Sequence, residues 1–179
     1  MRALSVQSGI SERELEPYFN MHPVHYELEK GAITPEEFLE RLSADYQRSI
    51  DLSIEELSDI LGKSFSLNNP LQQTVDQFRP PLRVILLSNT NAIDIPYIEK
   101  QFQLLSWADE AILSYQVSMR KPDHHIYQYA LHEYDLEPQD TLFIDDLEIN
   151  VLAAREVGVQ AEVYRSPEQV QRLLSQLVH

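Results

Sequence analysis

Three short polar stretches hold the residues whose types and spacing could do chemistry. Ser88-Asn89 supplies a hydroxyl and an amide, Lys121 supplies a cation, and the adjacent carboxylates of Asp145-Asp146 are followed by Asn150. Paired carboxylates beside a lysine suit a hard cation and a phosphate, because Mg²⁺ binds one or two carboxylates together with water and phosphate oxygens. The lysine and the hydroxyl would then hold the remaining phosphoryl oxygens and offset their charge.

Each stretch also has an ordinary structural interpretation. Ser88-Asn89 is typical of a turn that leads into a helix, Lys121 of a solvated lysine, and Asp145-Asp146 of a helix N-terminus. Taken singly, these interpretations are as good as the chemical ones. The combination favours a site, because all three stretches follow predicted strands, and ligands of an open parallel sheet bind beyond the carboxyl ends of its strands.

Alternating strands and helices are predicted to position these residues. Short apolar runs predict strands over Arg83–Leu87, Ala111–Leu113, Thr141–Ile144 and Ala161–Tyr164. Helical patterns fall at about Ala92–Phe102, Asp123–Tyr134 and Glu148–Val157, with a last helix from Ser166. This order predicts an α/β fold whose parallel sheet is covered by helices on both faces.

The first 68 residues predict helices only. Ser11, Thr34 and Ser53 each stand three residues before a glutamate, the pattern of a capping box. Leu4 and Val6, with Gly9 as a stop, predict a helix that ends near Ser8 and that no residue before it starts. We therefore expect two parts, a helical part over 1–68 and an α/β part over 69–179.

Composition excludes several classes of function. The net charge of −15, from 14 Lys and Arg against 29 Asp and Glu, argues against a nucleic-acid partner, which needs surplus cations. No cysteine is present, which removes disulfides, thiol catalysis and Cys-based zinc sites. The apolar runs, such as Val84–Leu87, fall far short of the roughly 20 residues that span a bilayer. We expect no membrane partner and a cytoplasmic location, although a chain without cysteine is compatible with any compartment.

The polar stretches, with their flanking residues, resemble motifs II, III and IV of the haloacid dehalogenase (HAD) superfamily. The matching segments are Ser88–Asn91, Met119–Asp123 with Ile126-Tyr127, and Phe143–Asp146 with Asn150, Ala153-Ala154 and Gly158. Residues 10–68 resemble the small helical C1-type cap of the branch that holds α-D-glucose-1-phosphate phosphatase-like proteins and the epoxide hydrolase N-terminal domain. Response-regulator receivers carry similar groups, but their acid pair comes first in the chain, whereas here it comes last.

The resemblance implies a Rossmann-like HAD core with a C1 cap, and a Mg²⁺-dependent phosphatase of small phosphorylated metabolites that works through an aspartyl phosphate. It implies that Ser88 hydrogen-bonds a phosphoryl oxygen, with the backbone of Asn89 nearby. Lys121 would bind the phosphate and the nucleophilic carboxylate. Ser118 departs from close relatives, which often carry glycine there, and this affects the backbone of the loop.

The resemblance also implies the metal ligands. Asp146 would bind Mg²⁺ directly, and Asp145 and Asn150 would support it through water or through indirect contacts. The acid pair is similar to that of the Mg²⁺-dependent phosphatases and differs from the dehalogenases, which lack it.

This sequence departs from the family most at motif I. That motif places a nucleophilic aspartate at the end of a first strand and an acid–base aspartate two residues later. The first aspartate of this sequence is Asp45, inside a predicted helix. We therefore expect weak or absent Mg²⁺ binding, and a sheet without its first and central strand, so that the strands at Val84–Leu87 and Thr141–Ile144 flank a gap.

Three hypotheses remain from the sequence. The first is a HAD phosphatase that lacks about 20 N-terminal residues here, its reading frame beginning within the family's first helix. The second is a catalytically inactive HAD scaffold that binds a phosphorylated ligand or a protein partner. The third is a chain completed by a strand from another polypeptide or by self-association. In every case we predict that the 179 residues alone do not turn over phosphate esters.

Overall fold

Five helices form the first part of the chain. The structure is a computed structural model that describes residues 1–178. Its first helices are α1 (Arg2–Ser8), α2 (Glu12–Met21), α3 (Pro23–Glu29), α4 (Pro35–Asp45) and α5 (Ile54–Gly62). The predicted capping boxes are present at Ser11, Thr34 and Ser53, where each serine or threonine exchanges hydrogen bonds with the glutamate three residues on. Gly9 ends α1 in the left-handed conformation, at φ 68°.

Strands and helices alternate after residue 68. The elements are α6 (Asn69–Asp76), β1 (Ile85–Ser88), α7 (Asp94–Phe102), α8 (Leu104–Trp107), β2 (Glu110–Leu113), α9 (Ser114–Val117), α10 (His124–Glu133), β3 (Leu142–Asp145), α11 (Glu148–Glu156), β4 (Gln160–Val163) and α12 (Pro167–Leu177). The predicted α/β class and the order of strands and helices are confirmed. The division at residue 68 falls between α5 and α6 and stays a prediction, and residue 179 lies outside the described part of the chain.

The four strands form two separate parallel sheets. Strand β1 pairs with β2, so that Ile85 lies opposite Glu110, and β3 pairs with β4, so that Leu142 lies opposite Gln160. Within residues 1–178, no strand joins β1 to β3. The break in the sheet therefore lies where the sequence predicts a gap.

Two hydrophobic clusters support these elements. The first lies in the helical part, around fully buried side chains such as Leu4, Phe38 and Leu57, and it includes Ile93 at the start of α7. The second surrounds the strands, with Ile126 and Val151 fully buried. Burial of each such side chain contributes about 1.5–3 kcal/mol relative to exposure. No helix in the described part of the chain is both long enough and apolar enough to cross a membrane.

A close backbone approach joins the helical part to the α/β part at Gly31. This glycine has a φ of 64°, and a Cβ atom built on it would overlap the carbonyl oxygen of Tyr115 in α9. Gly9 has a similar φ of 68°, but a Cβ atom there would meet nothing within 4 Å. The two glycines therefore share a backbone conformation and differ only in their surroundings.

This pair gives a matched test of the contact. Gly9→Ala is expected to cost about 1–2 kcal/mol of unfolding free energy, since it adds left-handed strain alone. Gly31→Ala should cost at least about 2 kcal/mol more, because α9 must also move away. Urea denaturation of both variants measures the difference. Equal losses for the two variants would show that the approach of residue 31 to α9 is unimportant for stability.

Candidate functional site

The polar residues predicted from the sequence lie where strands β1 and β3 end. Ser88 is the last residue of β1 and is partly exposed, and Asp145 is the last residue of β3. Lys121 lies in the loop between α9 and α10. The loop thus brings a cation to the carboxyl ends of two strands that do not pair with each other.

A buried ion pair forms the centre of the site. The Nζ atom of Lys121 lies 2.6 Å from Oδ2 of Asp145, and the two side chains are only 11% and 7% exposed. The other oxygen of Asp145 accepts hydrogen bonds of 2.9 Å from the backbone N–H of Leu147 and from Nδ2 of Asn150. Lys121 also lies 5.5 Å from the centre of the Phe143 ring, close enough for a cation–π contact.

The charge state of Asp145 follows from these contacts. Burial by itself raises the pKa of this carboxyl, but Lys121 and the hydrogen bonds from Asn150 and Leu147 outweigh it, so the pKa lies below its ordinary value. Asp145 is therefore an ionised carboxylate at neutral pH, with both oxygens occupied by donors. Asp145 thereby holds Lys121 and the start of α11 in place.

Asn89 fixes the backbone of Lys121. Its Nδ2 donates to the carbonyl oxygen of Lys121 at 2.8 Å, and its Oδ1 accepts from the N–H of Lys121, also at 2.8 Å. The side chain of Asn89 therefore satisfies both backbone groups of one residue that lies 32 positions away in the chain. Because Asn89 directly follows β1, this clamp ties the lysine to the strand that carries Ser88.

The neighbouring loops are held by further polar contacts. The hydroxyl of Ser114, which is fully buried, accepts from the N–H of Thr90 at 2.9 Å and donates to its carbonyl oxygen at 2.8 Å. Ser118 has a left-handed φ of 57°, a conformation that glycine adopts at lower cost. The departure from glycine at this position therefore places strain in the loop that leads to Lys121.

The helical part reaches the same loop through Arg120. Its Nε atom lies 2.9 Å from Oε2 of Glu29 in α3, and its guanidinium lies 4.4 Å from the centre of the Tyr26 ring. Nearby, burial raises the pKa of Asp94 to about 6, against the opposing effects of a hydrogen bond from Asn91 and the charge of His25. Charged groups of both parts thus meet beside the residue that precedes Lys121.

The predicted site residues divide into two groups. Asn89, Lys121, Asp145 and Asn150 form one hydrogen-bonded cluster. Asp146 is exposed and forms the bend that follows β3. The roles assigned to these residues and to Ser88 in phosphate and metal binding stay predictions.

The donor set suits Mg²⁺ as an open site. No cluster of three or more histidine or acidic residues in the described part of the chain is arranged to hold a metal ion. Mg²⁺ does not need such a cage, because one or two carboxylates together with water and phosphate oxygens satisfy it. Asp146 is exposed and forms no ion pair within residues 1–178, whereas Asp145 is paired with Lys121.

Two features of the site are not among the sequence-based predictions. The first is the side-chain clamp of Asn89, since the resemblance implies a role for the backbone of this residue only. The second is the contact of Arg120, which lies in the stretch that resembles motif III. The resemblance gives this residue no role, although its position next to Lys121 is a usable signal. Its partner Glu29 lies 91 positions earlier in the chain, a separation at which local patterns give no information.

Comparison with known proteins gives the family. A family model described as a hydrolase, haloacid dehalogenase-like hydrolase, matches residues 14–158. A solved structure of a HAD family enzyme from Bacteroides thetaiotaomicron, in complex with magnesium and inorganic phosphate, is similar to the chain with a TM-score of 0.76 and 26% identity. The similarity covers 92% of this chain and 86% of that one.

The curated relatives carry the names of different enzymes. The drimenol cyclase drtB of Aspergillus calidoustus is 28% identical over 84% of this chain, which corresponds to 29% of the relative's own length. The D-ribitol-5-phosphate phosphatase of B. thetaiotaomicron is 28% identical over 76% of this chain and 69% of its own length. The chain thus spans under a third of the first relative and about two thirds of the second.

Proposed function

Since the chain belongs to the haloacid dehalogenase-like hydrolase family, we propose that its α/β part binds the phosphoryl group of a small phosphorylated metabolite between Ser88 and Lys121. The single observation that carries this proposal is the buried Lys121, held by Asn89 and Asp145 at the carboxyl ends of β1 and β3. A lysine fixed in this way presents its charge at a constant position, which favours binding of an anion. The names of a phosphatase relative and of a magnesium and phosphate complex support the same ligand class.

Mg²⁺ is proposed to bind beside Asp146. The exposed carboxylate of Asp146 would supply a direct oxygen ligand, and Asp145 and Asn150 would support it from the adjacent cluster. When bound, the ion supplies positive charge that offsets the phosphoryl oxygens. Asn150 is buried and already donates to Asp145, so it acts by orienting that carboxylate.

Residues 1–179 are proposed to lack phosphatase turnover by themselves. The first aspartate, Asp45, lies in α4 and accepts a hydrogen bond of 2.8 Å from the hydroxyl of Tyr18, in the helical part. Asp145 is the carboxylate next to Lys121, but donors occupy both of its oxygens, so it is a poor nucleophile. The alternative function is an inactive scaffold that keeps the phosphate site for binding alone.

Turnover of p-nitrophenyl phosphate tests this proposal. With Mg²⁺ present, the purified 179-residue protein should release nitrophenol at the background rate, and Lys121→Ala should not change that rate. The released nitrophenol is measured by its absorbance. The control is Ser175→Ala, which removes a hydroxyl that donates to the carbonyl oxygen of Gln171 within α12. Release well above background in the wild type and the control, abolished in Lys121→Ala, would contradict the proposal.

A further inference from the structure

A cavity of about 640 Å³ separates the two sheets. Consecutive residues of both strands line it, Ile85–Leu87 of β1 and Leu142–Ile144 of β3. Because alternate residues of a strand face opposite sides of its sheet, a cavity lined by consecutive residues borders the edge of the strand and not one face. The cavity, which we call the strand slot, therefore lies between the open edges of β1 and β3.

Backbone groups on both edges point into the strand slot. The carbonyl oxygen of Val84 accepts hydrogen bonds from the β2 side, so the next residue, Ile85, and then Leu87 direct their backbone groups away from β2. The carbonyl oxygen of Asp145 accepts from Tyr164 beyond β4, so Ile144 and Leu142 direct theirs away from β4. Within residues 1–178, none of the four N–H groups that face away donates to a loop or a cap.

The two edges run in the same direction. Asn89, directly after β1, hydrogen-bonds the backbone of Lys121, and the side chain of Lys121 reaches Asp145 at the end of β3. The carboxyl ends of both strands therefore lie beside Lys121. One extended segment between them can pair with β1 on one side and with β3 on the other.

The remaining walls are mostly apolar, although Arg83, Asp140 and Thr141 also line the cavity. They come from α6 and α12, which pack against each other, and from α10 and the loop after it, through Val75, Val170, Leu174, Leu177, Ala130 and Leu136. A strand enclosed by such walls has apolar side chains on both faces. A four-residue strand, at about 3.3 Å per residue, about 4.8 Å from each neighbour and in a layer about 10 Å thick, occupies roughly 600 Å³. The strand slot has this volume.

We propose that the strand slot binds one extended apolar segment of a separate polypeptide, which pairs with β1 and β3 in parallel and joins the two sheets into one. The occupant is four to five consecutive apolar residues with no proline, since a strand paired on both edges needs its N–H groups. The binding free energy comes from backbone hydrogen bonds formed at two strand edges and from burial of the apolar walls.

A peptide with five consecutive valine and isoleucine residues between lysine pairs tests the proposal. The matched control is the same peptide with proline at the central position. Hydrogen exchange is measured at the N–H groups of Ile85, Leu87, Leu142 and Ile144. The apolar peptide should slow this exchange by about tenfold or more, and the proline peptide should not. Equal effects of the two peptides, or full protection of these groups without any peptide, would overturn the proposal.

A protein variant checks that the peptide occupies the strand slot. Leu177→Glu places a charge on the wall at a partly exposed position, and Leu152→Glu makes the same change at a position of α11 that is 49% exposed and outside the slot. Binding, followed by fluorescence polarisation of a labelled peptide, should weaken about tenfold or more in Leu177→Glu and stay unchanged in Leu152→Glu. Unchanged binding in both variants would place the peptide elsewhere and refute the proposal.

The direction of the bound segment can be measured because the chain has no cysteine. Neighbouring strands are close enough for a disulfide. In Ser88→Cys, a peptide with cysteine directly after its apolar run should form a disulfide, and one with cysteine directly before the run should not. Val6→Cys, at a side chain 78% exposed in α1, is the control for random oxidation. The opposite preference would contradict parallel pairing. If the protein sedimented as a dimer and the N–H groups of both edges were protected from exchange without peptide, the strand slot would be assigned to a second copy of the chain, against the proposal.

Discussion

Replacement of Lys121 by methionine is expected to lower the unfolding free energy by about 3 kcal/mol at pH 7, because it leaves the carboxylate of Asp145 buried without its cation. Methionine keeps most of the volume and the apolar stem of the lysine. The loss should therefore come from charge and not from a cavity. Urea denaturation at several pH values measures it.

The pH dependence of this loss has a definite sign. The pKa of Asp145 is lowered in the folded protein, so its contribution to stability is present above the ordinary carboxyl pKa and is lost as the pH falls through the folded value. Without Lys121, burial dominates and raises that pKa. The difference in unfolding free energy between wild type and Lys121→Met should therefore become smaller as the pH is lowered towards 4, because the buried carboxyl of the variant then becomes protonated.

The double variant Lys121→Met with Asp145→Asn is the control. An amide in place of the carboxylate removes the unpaired charge, so the double variant should regain part of the stability that the single variant loses. The ion pair would not be what stabilises this loop if Lys121→Met lost the same unfolding free energy from pH 7 to pH 4 and the double variant regained none of it.

Replacement of Asn89 by alanine is expected to cost about 2–3 kcal/mol of stability, because it leaves both backbone groups of Lys121 without their partners. It should also weaken phosphate binding about tenfold, although it removes no charge from the site. Asn91→Ala is the comparison, since Asn91 caps α7 through the N–H groups of Ile93 and Asp94 and does not contact Lys121.

Two measurements separate these effects. Urea denaturation gives the stability of both variants, and a phosphate titration at a temperature where both are folded gives the affinity. Asn89→Ala should lose stability and affinity, whereas Asn91→Ala should lose stability alone. Equal phosphate affinity in the two variants would show that the clamp does not position Lys121 for an anion.

Local patterns were sufficient to predict most of the elements. The capping boxes at Ser11, Thr34 and Ser53 act within a single helical turn, so the sequence shows them directly. The boundaries of the elements are less exact. The strand predicted over Arg83–Leu87 begins two residues later, as β1 over Ile85–Ser88. The division of α2 from α3 was also missed, although Pro23 marks it as the first residue of a new helix.

The candidate site was predictable in its membership and not in its contacts. Strand order alone placed Ser88, Lys121 and Asp145 at one edge, because carboxyl ends of parallel strands meet there. Which of the two adjacent aspartates turns towards Lys121 depends on the path of the backbone after β3. The structure gives this contact to Asp145 and leaves Asp146 exposed. The clamp by Asn89 depends on a contact between distant parts of the chain, for which a single sequence carries no local signal.

Titration of inorganic phosphate into the 179-residue protein, followed by calorimetry with and without Mg²⁺, tests the central claim most directly. We predict binding to the wild type that weakens about 10- to 100-fold in both Ser88→Ala and Lys121→Met, since each removes a hydrogen bond to a charged ligand. Mg²⁺ should strengthen binding in the wild type and have less effect in Asp146→Asn. Phosphate binding of equal affinity in the wild type, Ser88→Ala and Lys121→Met would contradict the account.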